Sequence, residues 1–123
     1  LSLAMWERHA LQPAAQRHFG EPVARVEHVG SYACRNVRGT AGEGERRSQH
    51  ALANAFDVVG FRLQSGARVS VLRDWPGEGP QAAFLREVSE GACRFFKGAL
   101  GPDYNAAHRD HFHLDRGPYR ICR

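Results

Sequence analysis

At 123 residues the chain is long enough for one domain with a real apolar core, and 42% hydrophobic with 24% charged residues is the balance of an ordinary globular protein. Its longest apolar stretches fall far short of the roughly 20 residues of a membrane-spanning helix, so a helical membrane span is excluded. A net charge of +4 suits a polyanion such as nucleic acid, anionic lipid or an acidic wall polymer, but the cations are scattered along the sequence and select no partner.

No secretory signal is present, but the chain opens at Leu1 rather than Met and reads as a processed or trimmed piece, which leaves room for an export signal removed from it. Residues 3 to 19 carry Leu3, Trp6, Ala10, Ala14 and Phe19 near one helical face, and Gly20 is a natural stop. Pro13 must kink this stretch or open a second turn as its first helical residue. Residues 22 to 33, with Val23, Val26 and Val29, read as a strand. Residues 36 to 47 hold glycines and arginines with almost no apolar side chain, which predicts a loop. Residues 56 to 63 and 67 to 72 flank Gln64-Ser65-Gly66 and predict a β-hairpin. Pro80 opens a predicted helix to about Leu100, with Phe84, Val88, Ala92 and Phe95 in one stripe and Leu85, Cys93 and Phe96 widening it. A short alternating strand follows over residues 111 to 115. The fold class is α+β, a small antiparallel sheet with helices packed against it, in a single domain over residues 1 to 123.

Three cysteines, Cys34, Cys93 and Cys122, are too far apart for a zinc knuckle or a redox pair. They leave open one disulfide with a spare thiol or three buried thiols.

The chemistry concentrates in two places. His50 and Asp57 stand seven residues apart, and His108, His111 and His113 form a late cluster. Two neutral imidazoles and one carboxylate are a catalytic zinc ligand set, with the fourth position left for water. On a continuous helix, residues seven apart lie about 10 Å apart along the axis, too far for bonds of about 2.0–2.2 Å to one ion. The segment must bend, with His50 on a loop or turn and Asp57 entering a strand. In a strand His111 and His113 share one face while Phe112 and Leu114 point to the core. One imidazole can then hold the metal while its neighbour contacts the bound water. His9, His18 and His28 have no such setting and read as surface or packing residues, and Trp75 and Tyr104 either line a cleft or pack.

These phrases resemble a known family. Gly30-Ser-Tyr-Ala-Cys-Arg35, Ser48-Gln-His-Ala51, Ala55-Phe-Asp57, Gly60-Phe-Arg-Leu63 and Gly101-Pro-Asp-Tyr-Asn-Ala-Ala-His-Arg-Asp-His-Phe-His-Leu-Asp115 are similar to the bacterial extensin-like C-terminal domain family. The spacing Ser48-x-His50-x6-Asp57 with His111-x-His113 also resembles the LAS metallopeptidases, which comprise lysostaphin-type enzymes, D-Ala-D-Ala carboxypeptidases and the hedgehog fold. That resemblance implies a hedgehog/DD-peptidase-like fold, a zinc ion (Zn2+) held by His50, Asp57 and His113, and peptidoglycan as substrate. It implies His111 as the catalytic base, with Asp110 as the alternative. Arg35 matches a residue that stabilises the oxyanion or grips a substrate carboxylate. Ser48 matches a residue lining that pocket, and His108 a further histidine of the site. Members of the family usually carry more sequence, with further cysteines, before the first helix. The reading is thus an exported zinc peptidase, periplasmic or wall-associated, that does not act on nucleic acid. Its rivals are a zinc-stabilised wall- or protein-binding module and a metal-dependent nuclease.

Overall fold

The computed structural model describes residues 1–29, 55–118 and 120–123. The first helical stretch runs from α1 (Ser2–Trp6) through a π turn, Glu7–Leu11, into α2 (Gln12–Phe19). Pro13 explains the interruption. It offers no N–H to the carbonyl four residues back, and its ring crowds that carbonyl. The turn before it widens accordingly, and Pro13 sits in the first turn of α2. Gly20 ends α2 in the left-handed conformation at φ 71°, its N–H donating to the Gln16 carbonyl at 3.0 Å.

The chain then enters β1 (Val23–Val29), and resumes at β2 (Phe56–Leu63). Residues 30–33 of the expected first strand, and the expected loop at 36–47, lie outside the described residues. β3 (Arg68–Ser70) returns antiparallel to β2 around Gly66, as the hairpin reading requires. It is shorter than expected, because Val71 begins α3 (Val71–Asp74) instead of continuing the alternation. The cause is a cap. Ser70 Oγ accepts from the Arg73 N–H at 3.2 Å, while the Asp74 carboxylate accepts from the Ser70 N–H at 2.8 Å.

α4 spans Pro80–Ala92 and stops eight residues before the expected end near Leu100. After a turn over residues 93 to 95 the chain forms β4 (Gly98–Leu100), paired with β5 (Phe112–Asp115). Strand pairing wins here over the helical stripe. The last strand, β6 (Ile121–Cys122), lies parallel to β4, so the sheet is mixed and not wholly antiparallel. Its order is β1-β2-β5-β4-β6, with β3 also on β2. Among the described residues a disulfide joins Cys93, just past α4, to Cys122 in β6, with Cα atoms 5.9 Å apart. The same corner gathers Arg94, Lys97, Arg120 and Arg123, all exposed, although they are dispersed along the sequence.

The helices cover one face of the sheet. Trp6, Leu11, Phe61, Phe84, Leu85, Val88, Phe112 and Leu114 are buried at their interface. Trp6 Nε1 donates to the Val88 carbonyl at 3.0 Å, so the largest core side chain carries no unpaired donor. Phe112 stacks edge-on against Trp75, with ring centroids 5.7 Å apart, and also meets Phe61. Full burial of one such side chain is worth about 3 kcal/mol. The consequence for the site is direct: Phe112 and Leu114 fix the strand whose opposite face carries His113.

Candidate metal centre

The register of β2 against β5 makes Asp57 and His113 direct cross-strand partners. Side chains of such a pair project to the same face. The Asp57 carboxylate, 5% exposed, therefore meets the imidazole of His113, with Nδ1 3.0 Å from Oδ1. His111, just ahead of β5, places Nε2 3.3 Å from the other oxygen, Oδ2. Each oxygen of one buried carboxylate thus faces one imidazole nitrogen.

A third imidazole closes in from the turn Ala106–His108. The His108 ring lies 5.0 Å from that of His111 and 6.1 Å from that of His113, and its Nδ1 is 2.7 Å from Asn105 Oδ1. The half-exposed Tyr104 meets His108 edge-on at 5.3 Å. An open cleft of about 320 Å³ is lined by Leu72, Trp75, Pro76, Pro102, Asp103 and Arg109. Trp75 does both things expected of it: it packs on Phe112 and lines the cleft, with Nε1 donating to Asp103 at 3.0 Å. His9 and His18 are packing residues, stacked on Phe95 and bonded to Glu87 respectively, and His28 packs on Phe56.

Two outer carboxylates complete the arrangement. Asp110 Oδ1 is 2.7 Å from His111 Nδ1, and this hydrogen bond holds its carboxyl below the usual range despite some burial. Asp115 Oδ2 is 2.8 Å from His113 Nε2. Burial opposes charge on His113, but hydrogen bonds to Asp115 and Asp57 and their negative charges prevail and raise its pKa to about 9. Burial likewise works against the Asp115 carboxylate, yet His113 and the Gly117 N–H hold its pKa down. His108 is the contrary case: burial first, then the neighbouring charges of His111 and His113, lower it.

The residues fit a divalent metal. Two ligand atoms on one tetrahedral zinc, each at about 2.05 Å, lie about 3.3 Å apart. The separation of Asp57 Oδ1 from His113 Nδ1, 3.0 Å, is close to that size. A buried carboxylate opposed by imidazoles is also a proper hard-and-borderline donor set. Among the described residues alone no three such side chains converge on a single ion. His50, Ser48 and Arg35 lie outside the described residues, as does Cys34. The structure brings together Asp57, His108, Asp110, His111 and His113. It adds Asp115, to which sequence reasoning gave no role; its signal was the period-two alternation that sets it on the face of His113.

The whole chain, residues 1–123, matches the family described as Extensin-like protein C-terminus. The chain belongs to the extensin-like C-terminal family. No curated protein and no solved structure matches it. The extensin-like phrase from Gly101 to Asp115 contributes β5, the turn before it and every imidazole of the cluster described above.

Proposed function

We propose that this extensin-like domain is a zinc-dependent peptidoglycan peptidase of LAS type, with a hedgehog/DD-peptidase-like fold, hydrolysing an amide bond in stem peptides or cross-bridges outside the cytoplasm. The observation that carries the reading is the buried Asp57 carboxylate with His113 and His111 on its two oxygens. His113 and Asp57 would hold the metal together with His50. Zinc in such a set supplies Lewis acidity toward the carbonyl and acidifies water.

The remaining roles fall to the chain. His111 is the base: Nδ1 is engaged by Asp110, which leaves Nε2 to accept a proton on the side of Asp57. Asp110 then orients His111 and stabilises its imidazolium, as the group that holds a general base in place does. This supports His111 over Asp110 as the base while giving both a task. Arg35 would meet the developing oxyanion or a substrate carboxylate, and Ser48 would line its pocket. His108, with its lowered pKa, is a neutral imidazole at neutral pH and suits a substrate hydrogen bond. The exposed cations at the disulfide corner suit an anionic wall polymer.

Single variants test the assignment. His113→Ala is expected to lose both bound zinc and hydrolysis of peptidoglycan. His111→Ala is expected to retain zinc and lose turnover by at least about 100-fold, the usual scale of a lost general base. Normal hydrolysis by His111→Ala would remove His111 from the base role.

A further inference from the structure

An imidazole can offer either ring nitrogen to a metal, and the hydrogen bond made by the other nitrogen selects which. We infer that Asp115 is the positioning residue that presents Nδ1 of His113 to the metal, an inference that rests on the metal reading above. Three features build the device. Asp115 Oδ2 takes Nε2 of His113 at 2.8 Å, leaving Nδ1 toward Asp57 Oδ1 at 3.0 Å. Asp115 Oδ1 accepts from the Gly117 N–H at 2.9 Å, which fixes the carboxylate plane. Opposite it across the strand pair stands Gly98, where an added Cβ would fall 2.5 Å from Asp115 Oδ1. Only glycine leaves room for the carboxylate to lie against β4.

The period of a strand does the rest. His113 and Asp115 are two residues apart and share one face of β5, so ligand and orienter sit on one rigid element. Asp115 is itself largely buried, at 13% side-chain exposure, and its carboxylate reaches both His113 and the Gly117 N–H.

Asp115→Asn is the sharpest perturbation because it keeps the shape. The single carbonyl oxygen of asparagine must satisfy the Gly117 N–H, which leaves its NH2 group to donate to Nε2. The imidazole proton is then driven to Nδ1, the atom the metal needs. Zinc affinity, read by chelator competition on the full chain, is expected to fall 10- to 100-fold in Asp115→Asn, the usual scale for an outer partner of a ligating histidine. Gly98→Ala, which retains every carboxylate but displaces Asp115, is expected to fall comparably. Circular dichroism of the metal-free variants checks that each is folded. In zinc-saturated wild type, long-range 15N–1H correlation spectra are expected to show His113 protonated at Nε2 and ligated through Nδ1. Wild-type zinc binding with Asp115→Asn within twofold of it, or a His113 ligated through Nε2, overturns this inference and leaves the metal reading standing. A wild-type chain that binds no zinc overturns both.

Discussion

The Cys93–Cys122 bond encloses most of the candidate site. Its two ends are 29 residues apart, and between them lie β4, β5, the turn bearing His108, and Asp110, His111, His113 and Asp115. Only Asp57 reaches the described site from outside that loop. Cross-linking a loop of this size removes denatured-state entropy worth about 3.6 kcal/mol at 25 °C. Unfolding entropy of about 2.1 cal/mol/K per residue, over the length of this chain, converts that to a fall in Tm of about 14 °C. The loss should be felt first at β6, which has only Ile121 and Cys122 to pair with β4. Differential scanning calorimetry of the oxidised chain against Cys93→Ala/Cys122→Ala measures it, both proteins metal-free so that ligand binding does not add to stability. A shift below about 3 °C would refute the reasoning. It would mean that strand pairing holds the site without help from the cross-link.

Acid and base should move the metal-free protein in a defined direction. His113 is raised to about 9 from 6.5, because its carboxylate partners outweigh burial. A raised histidine pKa stabilises the fold fully below the unfolded value near 6.5, and the contribution is lost as pH climbs through about 9. The gap corresponds to about 3 kcal/mol, so the urea midpoint of metal-free chain is expected to fall between pH 6.5 and 9, and a flat profile would contradict the pairing. Because the same proton must leave before His113 can bind a metal, zinc affinity is expected to weaken as the solution is acidified, which calorimetric titration at several pH values would register.

Much of the frame was legible from local pattern. Gly20, the apolar face of α1 and α2, the first arm of the hairpin and the strand ahead of Asp115 all follow from periodicity and terminator residues. The misreadings come from competition between local and non-local forces. Val69 and Val71 alternate as a strand would, but Ser70 and Asp74 cap a helix there. The apolar stripe opened by Pro80 predicts a helix to about Leu100, yet Gly98 to Leu100 pair with β5 and β6, partners that lie 13 residues or more further along the chain. The parallel pairing of β6 had no local signal at all. At the site, the spacing of His111 and His113 made their shared face readable, and Asp57 was expected at the start of a strand. What sequence alone could not supply was register: that Asp57 stands opposite His113, and that Gly98 stands opposite Asp115. Charge behaved the same way, since Arg94, Lys97, Arg120 and Arg123 are dispersed in sequence and gathered by the disulfide corner.

Mass spectrometry of the soluble products from purified cross-linked peptidoglycan, incubated with the zinc-loaded chain, bears most directly on the proposed activity. New peptides arising from amide cleavage, absent when zinc is chelated, are the predicted result, and their masses would identify the bond cut. Unchanged muropeptides from folded, zinc-loaded protein would contradict the peptidase reading and leave a zinc-stabilised binding module in its place.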